Sequence, residues 1–238
     1  MADPRRQLIA FGMASGEPKI TQVIDIELVI FDCDGVLVES EGISLRVLSE
    51  YLRETGLQVS REEVDARFMG PRLKDIVAEV EAAVGRELGD AWIMEFEERR
   101  MKIFETQLVA IPGARHVVSF LANHEVRMCV ATQGRLETTH RKLALVGLSE
   151  FFPLGAVFSA DEVSYGKPHP GVFLYAAESM GVRPERCVVI EDSADGVEAA
   201  LRAGMQVFHY QSDPHMGSAV GAKPLLSLDG IPQMLEIA

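Results

Sequence analysis

The feature that most constrains the fold is an alternation of short apolar runs with single helices over the second half of the chain. Runs of strand length, rich in β-branched and aromatic residues, lie at 27–31, 126–131, 155–158, 187–190 and 205–209, with a weaker run near 225–228. Helical patterns precede or separate the later runs at 114–122, 136–146, 171–180 and 194–203. Strands joined by single helices predict an α/β fold, a Rossmann-like doubly wound parallel sheet with helices on both faces.

A long helical stretch interrupts this alternation directly after the first apolar run. From 41 to 108 apolar residues recur at helical spacing without a convincing strand pattern, so we predict an all-helical insert at 41–108. The α/β core then consists of 25–40 and 109–238. Residues 1–24 have weak periodicity, and we expect them to form an irregular N-terminal extension.

Composition and charge exclude several classes of protein. Apolar residues make up 47 % and charged residues 25 % of the chain, which is typical of a globular protein rather than a disordered one. A formal net charge of −13 repels polyanions and argues against a nucleic-acid binder. No charge-free stretch reaches the length of a membrane span, and the three cysteines form no disulfide framework. We therefore expect a cytoplasmic protein without a membrane partner, either a monomer or a weak homodimer.

Polar side chains follow the apolar runs where the predicted strands end. These residues are Asp32 and Asp34, Thr132, Lys167, and Glu191 with Asp192. Because ligands bind at the carboxyl ends of the strands in an open parallel sheet, we expect these side chains to meet at one edge. Clustered carboxylates suit Mg²⁺, whereas a lysine, a hydroxyl and free backbone N–H groups suit a phosphate. The pattern predicts a phosphate site in which a carboxylate is placed to attack phosphorus.

The segment from Phe31 to Ser40, Phe-Asp-Cys-Asp-Gly-Val-Leu-Val-Glu-Ser, resembles the first motif of the haloacid dehalogenase superfamily of phosphohydrolases. Thr132, Lys167 and Glu191-Asp192 resemble its second, third and fourth motifs, in the same order. A helical stretch directly after the first motif is similar to the subgroup of β-phosphoglucomutase-like and phosphoglycolate phosphatase-like enzymes. The resemblance implies a phosphatase for a small phosphorylated metabolite of the sugar phosphate, phosphogluconate or phosphoglycolate type.

The same resemblance implies a role for each motif residue. Asp32 would be the nucleophile that forms an aspartyl-phosphate, and Asp34 the general acid and then the base. Thr132 and Lys167 would hold the phosphoryl oxygens. Mg²⁺ would be bound by Asp32, the backbone carbonyl of Asp34 and Asp192. Glu191 would support this metal site.

The resemblance implies that the helical insert 41–108 is a cap domain, and that substrate contacts come from this cap and from the second motif. Segment 67–72 resembles the loop of the cap that selects the substrate in this subgroup, which makes Gly70 and Arg72 candidates. Glu41 and Gln133 are further candidates. The alternative for Arg72 is a solvated arginine at a helix start.

Two other functions remain open from the sequence. A phosphosugar mutase of the β-phosphoglucomutase type also forms an aspartyl-phosphate, but its pattern has histidine where this chain has Ser44 and lysine where it has Met69. Both departures favour hydrolysis. A non-catalytic relative that binds a phosphorylated ligand is disfavoured because all the principal catalytic side-chain types are present. His169 and His209 pair with no nucleophile, so we expect ordinary packing or surface residues there.

Overall fold

A computed structural model describes residues 6–8, 23–68, 71–211 and 217–237. Most of the predicted extension 1–24, and the candidate Gly70, lie outside these residues. The strands are β1 (Arg6–Leu8), β2 (Val23–Asp25), β3 (Leu28–Phe31), β4 (Arg127–Thr132), β5 (Val157–Ser159), β6 (Cys187–Glu191), β7 (Gln206–Tyr210) and β8 (Lys223–Leu225). The helices are α1 (Glu41–Thr55), α2 (Arg61–Phe68), α3 (Leu73–Val84), α4 (Gly89–Gln107), α5 (Ala114–Asn123), α6 (Leu136–Leu145), α7 (Gly171–Ser179), α8 (Ala194–Arg202) and α9 (Ile231–Met234).

A parallel sheet forms the centre, in the strand order β5-β4-β3-β6-β7-β8. Leu28 of β3 lies opposite Arg127 of β4 on one side and Cys187 of β6 on the other. The chain runs outward from β3 through β4 to β5, and then returns to β6 on the far side of β3. This reversal of strand order leaves a crevice at the carboxyl ends of β3, β4 and β6. The predicted doubly wound α/β fold is confirmed.

Both faces of the sheet are buried, because successive side chains of a strand point to opposite sides. Leu28 and Ile30 pack with side chains of α7 and α8. Val29 and Phe31 pack with side chains of α5 and α9 on the other face. Each of these four side chains is fully buried, which accounts for the continuous apolar run of the central strand.

Helices α1 to α4 follow β3 and enclose an apolar cluster of their own. Trp92 stacks on Tyr51 with 4.7 Å between ring centroids, and its Nε1 donates to the hydroxyl of Thr55 at 2.9 Å. Two adjacent segments connect these helices to the sheet. The N–H of Glu39 donates to the carbonyl of Val109 at 3.0 Å, and Val38 pairs with Ala110 in an antiparallel bridge.

The N-terminal region contains a pair of strands that the sequence pattern did not predict. β1 and β2 are antiparallel, with Arg6 opposite Asp25. Elsewhere the three cysteines are buried and unpaired, as expected from their apolar surroundings. Among the residues that the structure describes, no helix is both long and apolar enough to cross a membrane.

Candidate active site

The ends of β3, β4 and β6 bring the predicted motif residues together around Lys167. Its Nζ donates to Oδ1 of Asp32 at 2.6 Å, to Oε1 of Glu191 at 2.5 Å and to the carbonyl of Ala131 at 3.2 Å. The lysine side chain is only 3 % exposed. A buried ammonium with three oxygen partners has all its donors satisfied, so Lys167 is a fixed positive charge beside Asp32.

Glu191 is the second carboxylate that holds Lys167. Besides the lysine, its carboxylate accepts from the N–H and the hydroxyl of Ser193, each at 2.9 Å. The Ser193 hydroxyl also accepts from the N–H of Gly196 at 3.0 Å and so caps α8. Both oxygens of Glu191 are therefore engaged, and the residue supports the site through Lys167.

The positive charge near Asp32 and Asp192 does not balance the burial of these two side chains and the carboxylates around them. Burial raises the pKa of Asp32 to about 7, because the nearby carboxylates of Glu191 and Asp34 oppose the lowering effect of Lys167. Burial, Glu191 and Asp32 raise the pKa of Asp192 to about 9. The Asp192 carboxylate lies directly over the turn after β3: a Cβ at Gly35, where φ is 79°, would be 2.0 Å from its Oδ2. A cation bound near Asp32 and Asp192 would offset this lack of positive charge.

The donor set at these two aspartates fits Mg²⁺. Lys167 contacts only Oδ1 of Asp32, so Oδ2 is free of the lysine. Within the described ranges no three His, Cys, Asp or Glu side chains are gathered as a metal cage. A Mg²⁺ site does not need one, because this ion commonly takes one or two carboxylates, a carbonyl and several waters.

Asp34 has a partner that the motifs did not indicate. Its Oδ1 accepts from the hydroxyl of Ser40 and from Nζ of Lys142, a residue of α6 whose side chain is 4 % exposed. Burial raises the pKa of Asp34, but Lys142 and the two hydrogen bonds outweigh it, so the pKa is below its usual value. Lys142 lies on the buried face of α6 with Thr138 and Thr139. Its helical spacing from these two residues was the one feature of the sequence that could have indicated a buried lysine here.

Thr132 and Gln133 shape the second motif. The buried Thr132 hydroxyl accepts from the N–H of Gly134 at 3.0 Å, which leaves its own proton available for a ligand. Gln133 accepts from the N–H of Lys167 at 2.9 Å through Oε1. It thereby ties the lysine loop to the end of β4, in addition to its predicted place beside the substrate.

A cavity of about 1110 Å³ opens between the strand ends and helices α1 to α4. Glu41, at the start of α1, lines it; burial together with Asp34, Glu39 and Glu191 raises its pKa. Arg72 precedes α3 and pairs with Asp75 at 2.9 Å. Its Cδ lies 3.0 Å from the place of a Cβ on Gly166, next to Lys167. Arg72 is thus not a fully solvated arginine, since its Nη1 is buried.

His209 supports Asp192, a role that the sequence did not reveal. This buried residue at the end of β7 accepts the N–H of Ala219 at Nδ1 (2.9 Å), so the proton of a neutral ring lies on Nε2. Nε2 then donates to the backbone carbonyl of Asp192 at 3.0 Å. The backbone that carries Asp192 is held in place by this contact.

Comparisons with known proteins agree with this arrangement. The sequence-family model of the haloacid dehalogenase-like hydrolases matches residues 26–204 of this chain. The 6-phosphogluconate phosphatase of Escherichia coli K12 is 32 % identical over 191 residues, which cover 80 % of this chain and 85 % of that protein. The phosphorylated carbohydrates phosphatase of Thermotoga maritima is 29 % identical over 89 % of this chain and 99 % of its own length.

A solved structure supports the same assignment. A hydrolase of this family from Deinococcus radiodurans, with bound phosphate and sodium, superposes with a TM-score of 0.67 at 31 % identity. The alignment covers 89 % of this chain and 96 % of that one. With the four motifs at one edge of a doubly wound sheet and a family match over most of its length, this chain belongs to the haloacid dehalogenase-like hydrolases.

Proposed function

We propose that this protein is a magnesium-dependent phosphatase that hydrolyses a small phosphorylated metabolite of the carbohydrate type through an aspartyl-phosphate. The observation that carries the proposal is the buried Lys167 clamped between Asp32 and Glu191, with Asp192 close by and short of a cation. The two phosphatases named above support the substrate class, because phosphorylated carbohydrates and phosphogluconate appear in their names.

In the first step, Oδ2 of Asp32 attacks phosphorus while the bond to the leaving oxygen breaks. The Thr132 hydroxyl would donate to a phosphoryl oxygen, and the fixed positive charge of Lys167 would oppose the negative charge that develops on the phosphoryl group. Asp34, once protonated, gives its proton to the leaving oxygen. Mg²⁺ held by Asp32, the carbonyl of Asp34 and Asp192 would neutralise phosphoryl charge and orient the group.

In the second step, Asp34 accepts a proton from water, which attacks the phosphorus of the aspartyl-phosphate and releases phosphate. The proton that Asp34 gave to the alcohol is thus replaced from water, and Asp32 is restored. Lys142 and Ser40 favour the ionised form of Asp34, which suits the base role. The acid role in the next turnover then uses the proton that Asp34 has taken from this water.

Helices α1 to α4 would act as the cap domain of this enzyme, over residues 41–108. The paired segments around Val38 and Ala110 would form its hinge. Closure would exclude water from the cavity and bring Arg72 and Glu41, together with Gly70, towards a substrate held by Thr132 and Gln133.

Release of phosphate from p-nitrophenyl phosphate tests the proposal. We expect turnover with Mg²⁺, none with EDTA, and loss of turnover by a factor of about 10³ or more in Asp32→Asn with the fold retained. Near-normal turnover of this variant would refute the role of Asp32, and a protein inactive with Mg²⁺ would favour the non-catalytic relative. A panel of phosphorylated carbohydrates, assayed for free phosphate and for isomeric sugar phosphate, distinguishes a phosphatase from a mutase.

A further inference from the structure

One wall of the cavity carries polar side chains of which the proposed chemistry uses only Lys142, the partner of Asp34. They come from α4 and α6, which lie side by side. The hydroxyl of Thr138 on α6 donates to Oε2 of Glu97 on α4 at 3.2 Å. Nη2 of Arg100, one turn further along α4, donates to both oxygens of Glu97 at 2.7 and 2.8 Å. Lys142 lies one turn beyond Thr138 on α6.

Arg100, which is half-buried, and Lys142, which is buried, are the cations of this wall. Their side chains are 18 % and 4 % exposed, whereas the other cations that line the cavity outside the Lys167 site, Lys74 and Arg135, are exposed. The guanidinium of Arg100 lies 5.2 Å from the ring centroid of Phe96 and 5.7 Å from that of Phe104. Charge–charge attraction is stronger at buried positions than in water.

The guanidinium of Arg100 is incompletely paired. Within the described residues only Nη2 donates to an acceptor, and Nε is buried without one. Nη1 is not engaged by Glu97 either, and an arginine presents five N–H donors in one plane. Both pairs of parallel N–H donors of a guanidinium include Nη2, which Glu97 already engages. What remains for an anionic group that arrives from the cavity is a charge-assisted hydrogen bond from Nη1.

The rest of the lining limits where such a group could bind. Within this wall the cavity is also lined by Glu97, whose oxygens already accept from Arg100 and Thr138. Beyond this wall and the metal and phosphate site, the cavity is lined by the carboxylates of Glu41, Asp65, Asp90, Asp161 and Asp195. These side chains repel an anion and accept hydrogen bonds from hydroxyl groups. A second anionic group of a substrate is therefore best placed at the wall formed by Arg100 and Lys142.

We propose that Arg100, with Lys142 beside it, is the specificity-determining residue for a carboxylate carried by the leaving group of the substrate. The substrate class is then the phosphate monoester of a hydroxy acid, such as a phosphorylated sugar acid, with hydroxyl groups facing the acidic lining. This inference rests on the proposed phosphatase function. It concerns which ester is chosen and leaves the chemistry at phosphorus unchanged.

Two matched substrate pairs test it, because the members of each differ only in a carboxylate or a hydroxymethyl group. They are 6-phosphogluconate with sorbitol 6-phosphate, and phosphoglycolate with 2-hydroxyethyl phosphate. We expect wild-type kcat/KM to favour the acid about tenfold or more in at least one pair, as a charge-assisted contact would produce. Arg100→Gln should lower that preference at least fivefold.

Arg99→Gln is the matched control, because Arg99 is the neighbouring residue of α4 and pairs with Glu54 and Glu95 on the outer side. Its preference for the acid should stay within twofold of the wild type. No preference for the acid in either pair, or a preference that survives Arg100→Gln, would overturn the inference. If Arg100→Gln lowers kcat/KM equally for both members of a pair, the inference is also overturned, because a purely structural role of Arg100 predicts that equal loss.

Binding measurements separate this inference from the proposed function. Calorimetry on Asp32→Asn, with and without Arg100→Gln, compares 6-phosphogluconate with sorbitol 6-phosphate and phosphoglycolate with 2-hydroxyethyl phosphate without any turnover. Tighter binding of one acid that depends on Arg100 supports the subsite even if no ester is hydrolysed. Turnover of p-nitrophenyl phosphate with equal binding within each pair supports the phosphatase and rejects the subsite.

Discussion

Replacing Gly196 with alanine should damage both stability and turnover, although glycine to alanine within a helix is normally favourable. Gly196 is the third residue of α8, and a Cβ built there would lie 1.8 Å from Oε1 and 2.4 Å from Oε2 of Glu191. Real Cβ atoms essentially never approach a neighbour closer than 3.0 Å. The Glu191 carboxylate would therefore have to move by more than about 1 Å.

That movement breaks the contacts which hold Lys167. Glu191 accepts from Lys167 at 2.5 Å and from Ser193 twice at 2.9 Å, and a shift of this size takes them beyond hydrogen-bonding distance. Breaking a buried ion pair costs about 3 kcal/mol or more, against a gain of up to about 1 kcal/mol from alanine in a helix. We expect a net loss of about 2 kcal/mol. With Lys167 no longer fixed, kcat should fall by a factor of about 10².

Gly42→Ala is the matched control. Gly42 lies near the start of α1, next to the cavity residue Glu41, and no heavy atom lies within 4 Å of its added Cβ. This variant should be neutral or up to about 1 kcal/mol more stable, with unchanged turnover. Urea unfolding and p-nitrophenyl phosphate hydrolysis measure both quantities. If Gly196→Ala behaves like Gly42→Ala, the argument from close contact is wrong.

Two further predictions follow from the charges. Asp34→Asn leaves the buried Lys142 without its carboxylate and should lower the free energy of unfolding in urea by about 3 kcal/mol or more. Asp32→Asn should lower it clearly less, because Lys167 keeps its ion pair with Glu191. Equal losses of stability in the two variants would contradict this reasoning. Because the folded pKa of Asp192 is raised to about 9, its contribution to metal-free stability is lost as pH rises from about 4 to 9. Mg²⁺ should therefore raise Tm more at pH 9 than at pH 6; an equal or smaller rise would count against a metal at Asp192.

Much of the site could be predicted from local sequence alone. The apolar run 28–31 followed by Asp32 and Asp34 specifies a buried strand with polar residues at its end, and 187–190 followed by Glu191 does the same. In a parallel sheet all carboxyl ends face one edge, so the meeting of Lys167 with Asp32 and Glu191 follows from strand direction. The loop that carries Lys167 needed only to reach that edge.

The pairs of β1 with β2, and of His209 with Asp192, could not be predicted in the same way. β1 and β2 are three residues each and are separated by a long stretch with weak periodicity. His209 lies in an apolar strand, where a histidine is usually a packing residue. Its partner is a backbone carbonyl, which every residue possesses and which leaves no mark in the sequence.

The sequence by itself determined the sheet, its helical insert and the motif residues, because hydrophobic period and strand-end polarity are local properties. Only the tertiary structure decided the surroundings of Asp34 and the wall of the cavity. Lys142 is 108 residues from Asp34, and Arg100 lies on a helix whose charged residues are mostly solvated. Whether such a cation is buried depends on which carboxylate or aromatic ring faces it after folding, and helical periodicity alone contains no information about that partner.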